Sequence, residues 1–153
     1  MQFCLLVVAD LDTGFVVGIT KKRGPEFLLN RITFPGGKLE EGESPEQAAA
    51  RELQEEAGIW VPPQQWLLVE SRHADGDTVH VLAAASDKTL YARSREEEPV
   101  WHLNIERHLQ YCRRQPMQYA PDFETTLRAA LDCLRHRALE PCPAPTDIEV
   151  PLG

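Results

Sequence analysis

The hydrophobic residues of this chain fall into short apolar runs separated by turn residues, a pattern typical of β-strands. The strands are predicted at residues 3–9, 15–20, 66–70, 78–85 and 100–103. A turn is expected at residues 10–14, and the pair Asp75-Gly76 indicates a hairpin between the third and fourth strands. The first run is the most continuous, and it predicts a strand of the hydrophobic core.

Two segments carry the three- and four-residue spacing of an amphipathic helix. The first helix is predicted to begin after Ser44, a good N-cap, with Pro45 in its first position and Gln47 completing a capping box. Gly58 is a natural residue to end it. The second helix is predicted at residues 123–137, with a buried side formed by Leu127, Ala130, Leu131 and Leu134. Strands and helices together predict the α/β class.

The 153 residues are enough for one domain, which we assign to residues 1–140. The Pro-rich segment 141–153 is expected to be a flexible tail.

The net charge is −8 and the sequence has no basic stripe, which argues against broad nucleic-acid binding. The four cysteines form no C-x-x-C pair, so zinc binding is not expected. Their scattered positions predict a reducing, cytoplasmic location. Residues 3–9 are too few to span a membrane. Monomer and homodimer both stay open.

Acidic residues are concentrated on the first predicted helix. Glu52, Glu55 and Glu56 lie three and four residues apart, a spacing that places side chains on one helical face. Such carboxylates would repel one another unless a cation held them. Oxygen-only ligands suit Mg²⁺ or Mn²⁺, so the pattern predicts a metal-dependent enzyme that acts on phosphates. Arg51 is expected to pair with Glu43 or with a helix glutamate.

The segment from residue 37 to residue 59 resembles the signature of the Nudix hydrolase family. The matching positions are Gly37, Glu43, Arg51-Glu52-Leu53, Glu55-Glu56 and Gly58-Ile59. The resemblance implies a Nudix fold, a mixed β-sheet sandwiched between α-helices, and hydrolysis of a nucleoside diphosphate linked to another moiety. It also implies that Glu52, Glu55 and Glu56 bind the metal together with the Gly37 carbonyl. Glu43 and Arg51 would brace the loop and the helix.

The substrate is suggested by the sequence FPGGK at residues 34–38, which is similar to that of MutT-type nucleoside triphosphate pyrophosphohydrolases. By that similarity, Lys21, Lys22 or Lys38 would contact phosphate oxygens of a small-molecule nucleotide, including an oxidised nucleoside triphosphate. The products would be a nucleoside monophosphate and pyrophosphate. ADP-ribose, a nucleotide sugar, an RNA cap and a non-catalytic nucleotide-binding role remain alternatives.

Two further questions stay open at the level of sequence. The general base is either Glu52 or Glu55 on the helix, or a residue of the acidic run 96–98, where Glu97 is the favoured residue. The nucleobase pocket has aromatic candidates and two amide candidates, each of which has a structural alternative. They are Phe27, Trp60, Trp66 and Trp101, and Asn30 and Asn104.

Overall fold

Strand β1 (Gln2–Asp10) lies in the middle of a seven-stranded mixed sheet in the computed structural model, which describes residues 1–139. The other strands are β2 (Phe15–Thr20), β3 (Ile32–Thr33), β4 (Gly36–Lys38), β5 (Leu67–Ala74), β6 (Asp77–Ala85) and β7 (Val100–Asn104). The main path runs in the order β3-β2-β1-β6-β5, while β4 pairs with β1 and β7 with β2. Strands β1 and β6 are parallel, and the other pairs are antiparallel.

Helices cover both faces of this sheet. Helix α1 (Pro45–Ala57) packs on one face through Ala48, Ala49 and Leu53, which contact a cluster that includes Leu6 of β1. Helices α2 (Ile105–Arg114) and α3 (Phe123–Leu139) pack on the other face. Because both faces are covered, β1 is apolar along most of its length rather than alternating. The α/β prediction and the sandwiched sheet are therefore confirmed.

The ends of α1 follow the predicted capping residues. The Ser44 hydroxyl accepts a 3.1 Å hydrogen bond from the Gln47 N–H, and the Gln47 side chain accepts one of 2.9 Å from the Ser44 N–H. Gly58 ends the helix in the left-handed conformation with φ 74°, which a residue with a side chain adopts at a cost. These caps fix the start and end of the helix that carries the acidic residues.

Two elements differ from the sequence-based expectation. Helix α2 was not predicted, although Asn104 caps it by accepting a 3.0 Å hydrogen bond from the Arg107 N–H. Two consecutive glycines, Gly36 and Gly37, favour a turn by sequence, but they do not form one. Both residues are extended in β4, opposite Leu5 and Cys4 of β1. Glycine is required at both positions because a Cβ atom would collide with neighbouring atoms.

The remaining predicted elements are confirmed with shifted ends. The hairpin turns at Asp75 and Gly76, which have φ values of 50° and 85°. Strand β5 continues beyond the predicted end at residue 70, because its later, polar residues still pair with β6. The predicted tail at 141–153 lies outside the described residues. Within residues 1–139, none of the helices has both the length and the apolar character needed to cross a membrane.

Candidate active site

Arg51 connects the acidic residues of α1 to the loop that precedes the helix. Its Nε and Nη2 atoms donate hydrogen bonds of 2.7 and 2.8 Å to the two oxygens of Glu43. Its Nη1 atom donates to Glu52 at 3.0 Å and to Glu55 at 3.2 Å. Nη2 also reaches the Lys38 carbonyl at 3.1 Å. A planar guanidinium can serve all these acceptors at once, so Arg51 holds the loop and two helix carboxylates in fixed positions.

Glu56 is the most deeply buried of the helix carboxylates, with 8% of the residue exposed. Its Oε1 atom accepts a 3.4 Å hydrogen bond from the Gly36 N–H, whereas its buried Oε2 atom has no hydrogen-bond partner. Burial and then the adjacent Glu52 carboxylate raise the pKa of Glu56. Burial also raises the pKa of Glu52, against the opposing effect of Arg51. The carboxyl groups of Glu52 and Glu56 are therefore expected either to share a proton or to bind a cation.

The two glycines of β4 allow the backbone to approach this carboxyl pair. A Cβ atom on Gly37 would collide with the Glu52 carboxylate, and one on Gly36 would collide with the Cys4 carbonyl oxygen. Gly36 therefore permits the pairing of β4 with β1. Gly37 leaves the space that Glu52 occupies, which places the Gly37 backbone beside an acidic group.

The donor set fits a divalent cation in its chemistry. A hard ion would give the unpartnered Glu56 oxygen a ligand and would offset the repulsion between Glu52 and Glu56. Among residues 1–139, however, no three carboxylate, imidazole or thiol groups are already gathered as a ligand set. The reason is visible at Glu55, whose carboxylate is 48% exposed and is bound by Arg51 instead.

The acidic loop before β7 is attached to the end of α1. The Arg93 N–H donates to the Ala57 carbonyl at 3.1 Å, and the Arg95 N–H donates to the Glu56 carbonyl at 3.2 Å. The loop is closed by a 2.8 Å hydrogen bond from the Val100 N–H to the Ser94 hydroxyl. These bonds bring two of the three loop glutamates to a cavity of about 300 Å³. It is lined in part by Lys21, Gly36, Glu52, Glu56, Glu96 and Glu98.

Glu98 and Glu97 have different surroundings, and Glu96 lines the same cavity as Glu98. The Glu98 side chain is 11% exposed, lies 3.8 Å from the Lys21 amine, and accepts a 2.8 Å hydrogen bond from the Lys22 N–H. Glu97, the residue favoured from the sequence, is 64% exposed and pairs with Arg23 at 3.6 Å, also at the surface. The structure thus brings Glu98, rather than Glu97, towards Glu56. Because the three glutamates are consecutive and of the same residue type, the local sequence does not distinguish Glu98 from Glu97.

A second cavity, of about 330 Å³, adjoins the first, and both are lined by Lys21 and Gly36. Its walls are largely apolar and include Phe27, Leu28, Phe34 and Val79. Asp122 also lines this cavity. Phe27 is the aromatic candidate that the structure places at this cavity.

The other candidate residues have different positions. Trp66 is buried in the core and donates to the Val61 carbonyl at 3.1 Å. Trp60 and Trp101 are 55% and 46% exposed. Asn104 is the cap of α2, and Asn30 accepts a 3.2 Å hydrogen bond from the Lys22 amine. Lys38 is exposed in β4, where its carbonyl binds Arg51.

Comparison with known proteins identifies the family to which this arrangement belongs. A family model described as the NUDIX domain matches residues 5–119, so the chain belongs to the Nudix family. The 8-oxo-dGTP diphosphatase of Escherichia coli (strain K12) is 44% identical over 63 residues, 41% of this chain and 47% of that protein. The chain thus matches about half the length of that curated relative.

Two further matches cover more of the chain. The CTP pyrophosphohydrolase of Escherichia coli (strain K12) is 29% identical over 153 residues, which is 100% of this chain and 85% of that protein. The NUDIX domain of Shewanella oneidensis NrtR, solved with ADP ribose, matches with a TM-score of 0.69 over 88% of both chains. At 20% identity, the second likeness concerns the fold alone.

Proposed function

We propose that this protein is a metal-dependent pyrophosphohydrolase that converts a nucleoside triphosphate, including an oxidised one, to a nucleoside monophosphate and pyrophosphate. The observation that carries the proposal is the buried Glu52–Glu56 pair, whose unpartnered oxygen lies beside a cavity that also contains Lys21. A buried pair of like charges destabilises the fold unless a ligand compensates for it. Such an arrangement is typical of a functional site.

The two adjoining cavities suggest how a nucleotide would lie. The acidic cavity would take the phosphates and the apolar cavity the nucleoside, with Lys21 between them. Lys22 and Lys38 remain further candidates for phosphate contacts. Relatives named 8-oxo-dGTP diphosphatase and CTP pyrophosphohydrolase support a triphosphate over other pyrophosphates.

Glu52, Glu56 and the Gly37 carbonyl would hold Mg²⁺ or Mn²⁺, and Glu55 would join them on release from Arg51. Such an ion offsets charge on the phosphate oxygens and favours in-line attack by water. Arg51 keeps Glu52 in place, and the Gly36 N–H of β4 holds Glu56 through a 3.4 Å hydrogen bond. Among the residues able to accept the proton of the attacking water, Glu98 has the most favourable position, facing the cavity next to Glu56. Glu96, which also lines the cavity, Glu97, Glu52 and Glu55 are the alternatives.

A phosphate-release assay with added inorganic pyrophosphatase tests the proposal. The panel should contain the common and 8-oxo nucleoside triphosphates, ADP-ribose, a nucleotide sugar and a capped RNA. Each is incubated with and without Mg²⁺, and the protein is then removed by filtration before Mg²⁺ and pyrophosphatase are added to the triphosphate samples. The other three compounds give phosphomonoesters instead of pyrophosphate, so their samples receive alkaline phosphatase. We expect metal-dependent release from a nucleoside triphosphate, and none when pyrophosphatase is omitted. Phosphate released by alkaline phosphatase from ADP-ribose, the nucleotide sugar or the capped RNA, with none from a triphosphate, would move the proposal to that substrate. Binding without turnover of any compound would instead favour a nucleotide-binding module.

A further inference from the structure

Arg72 of β5 is held by three partners at the edge of the apolar cavity. Its guanidinium is paired with the Asp122 carboxylate and donates 2.7 Å hydrogen bonds to the Thr126 hydroxyl and to Glu70. Thr126 is fully buried in α3, so this end of the network cannot move freely. The Arg72 side chain itself is 29% exposed.

A β-bulge explains why Arg72 lies on this side of the sheet. The pairing of β5 with β6 shifts between Leu68 and Glu70, so that Arg72 lies opposite Val79. In an unshifted register Arg72 would lie opposite Thr78, and its side chain would point to the α1 face. The extra residue therefore turns Arg72 towards α3 and towards the cavity that Val79 lines.

Asp122 lines the apolar cavity, and its side chain is 45% exposed, so its carboxylate is accessible to a ligand. An ionised carboxylate has about four acceptor sites and no donor. Arg72 binds the Oδ2 atom, which leaves the Oδ1 atom for a ligand. In a cavity whose remaining walls are largely apolar, a fixed acceptor favours a group that offers N–H donors, and it disfavours a carbonyl at the same point.

We propose that Arg72 is a positioning residue that fixes Asp122 as a hydrogen-bond acceptor, and so selects nucleobases that carry an exocyclic amino group. The inference rests on the proposed function, because it takes the apolar cavity as the nucleoside site. Arg72 acts through Asp122 and does not contact the phosphates. Arg72 also gives the buried Thr126 hydroxyl its hydrogen-bond partner, so its removal should lower the melting temperature. The selectivity ratio is the readout that a purely structural role would not change.

Equilibrium binding separates this inference from the question of turnover. The probes are two pairs of nucleoside monophosphates, dGMP with dIMP and dCMP with dUMP, whose members differ at the exocyclic amino group. Calorimetry is carried out with the wild-type protein, with Arg72→Gln and with Asp122→Asn. The matched control is Arg128→Gln, which removes an arginine that pairs with Glu124 on the same helix.

The wild-type protein is expected to bind the amino-bearing member of at least one pair about ten to a hundredfold more tightly. At a temperature where the variant is folded, Arg72→Gln should reduce this ratio to within about threefold of unity, and Arg128→Gln should leave it unchanged. Asp122→Asn, which adds a donor, should also remove the preference and serves if Arg72→Gln does not fold. A wild-type protein with no preference, no binding of any probe, or a ratio unchanged in Arg72→Gln would overturn the inference. Failure of hydrolysis alone would overturn only the proposed function.

Discussion

The backbone N–H of Lys22 donates a 2.8 Å hydrogen bond to the Glu98 carboxylate, which joins the loop after β2 to the loop before β7. This contact places a second carboxylate in the cavity that Glu56 lines, on a segment that is itself bonded to the end of α1. Two regions far apart in sequence thereby supply the basic and acidic sides of one site.

The first prediction concerns this loop. Glu98→Gln should lower kcat by about a hundredfold to ten-thousandfold with metal affinity nearly unchanged, because the loss of a general base has an effect of that size. Glu97→Gln, which alters an exposed residue of the same loop, should stay within about twofold of the wild type. The measurements are steady-state rates and Mn²⁺ binding. A larger loss of kcat in Glu97→Gln than in Glu98→Gln would instead favour Glu97 as the general base.

The second prediction concerns the stability of the metal-free protein. Burial and Glu52 raise the pKa of Glu56 above its ordinary value of 4.5, so ionisation is less favourable in the folded than in the unfolded state. The stabilisation is complete below pH 4.5 and is lost as the pH rises towards the higher folded-state pKa. The melting temperature in EDTA should therefore fall between pH 5 and pH 8. The expected fall is about 4 °C for each kcal/mol lost from the free energy of unfolding. Glu56→Gln should remove most of this slope, and a slope equal to the wild type's would contradict the assignment.

Arg51 should be sensitive to a change that keeps its charge. A lysine ammonium cannot bind Glu43, Glu52 and the Lys38 carbonyl together, because it lacks the planar fork. Arg51→Lys should weaken metal binding and lower kcat by about tenfold each, measured in parallel by calorimetry and the release assay. The control is Arg113→Lys, which changes an exposed arginine that binds Glu124. If Arg51→Lys behaves like this control, Arg51 has no role in the site.

The glycines of β4 should give different results when replaced by alanine. In Gly37→Ala the new methyl group meets a side chain, the Glu52 carboxylate, which can move. The protein should fold, with a change in melting temperature of only a few degrees, and lose about a hundredfold in kcat. In Gly36→Ala the methyl group meets the Cys4 backbone, so the melting temperature should fall sharply. Equal effects on stability in both variants would argue against this difference.

Local features of the sequence account for much of the fold. The capping residues and Gly58 define α1, and the pair Asp75-Gly76 fixes a hairpin, because each signal acts on its own neighbours. Helix α2 was missed, although Ile105 and Cys112 are spaced as one buried face and Asn104 is a good cap.

The parts of the site that were missed depend on tertiary contacts. Glu98 is distinguished from Glu97 by a partner 76 positions away, the Lys22 N–H, which no local pattern contains. Asp122 and Arg72 meet across 50 positions, and only because a bulge turns β5. Glu56 was predicted to share one helical face with Glu52 and Glu55, but its burial against Gly36 depends on β4, which the helical pattern does not contain.

The most direct test of the central claim is the metal dependence of turnover in Glu56→Gln beside Glu46→Gln. Both variants remove one carboxylate from α1, but Glu46 lies in the first turn, away from the Glu52–Glu56 pair. At saturating Mg²⁺, Glu56→Gln should lose at least about a hundredfold in hydrolysis of the preferred nucleotide, and Glu46→Gln should lose less than about twofold. Full activity in Glu56→Gln, or an equal loss in both variants, would contradict the account.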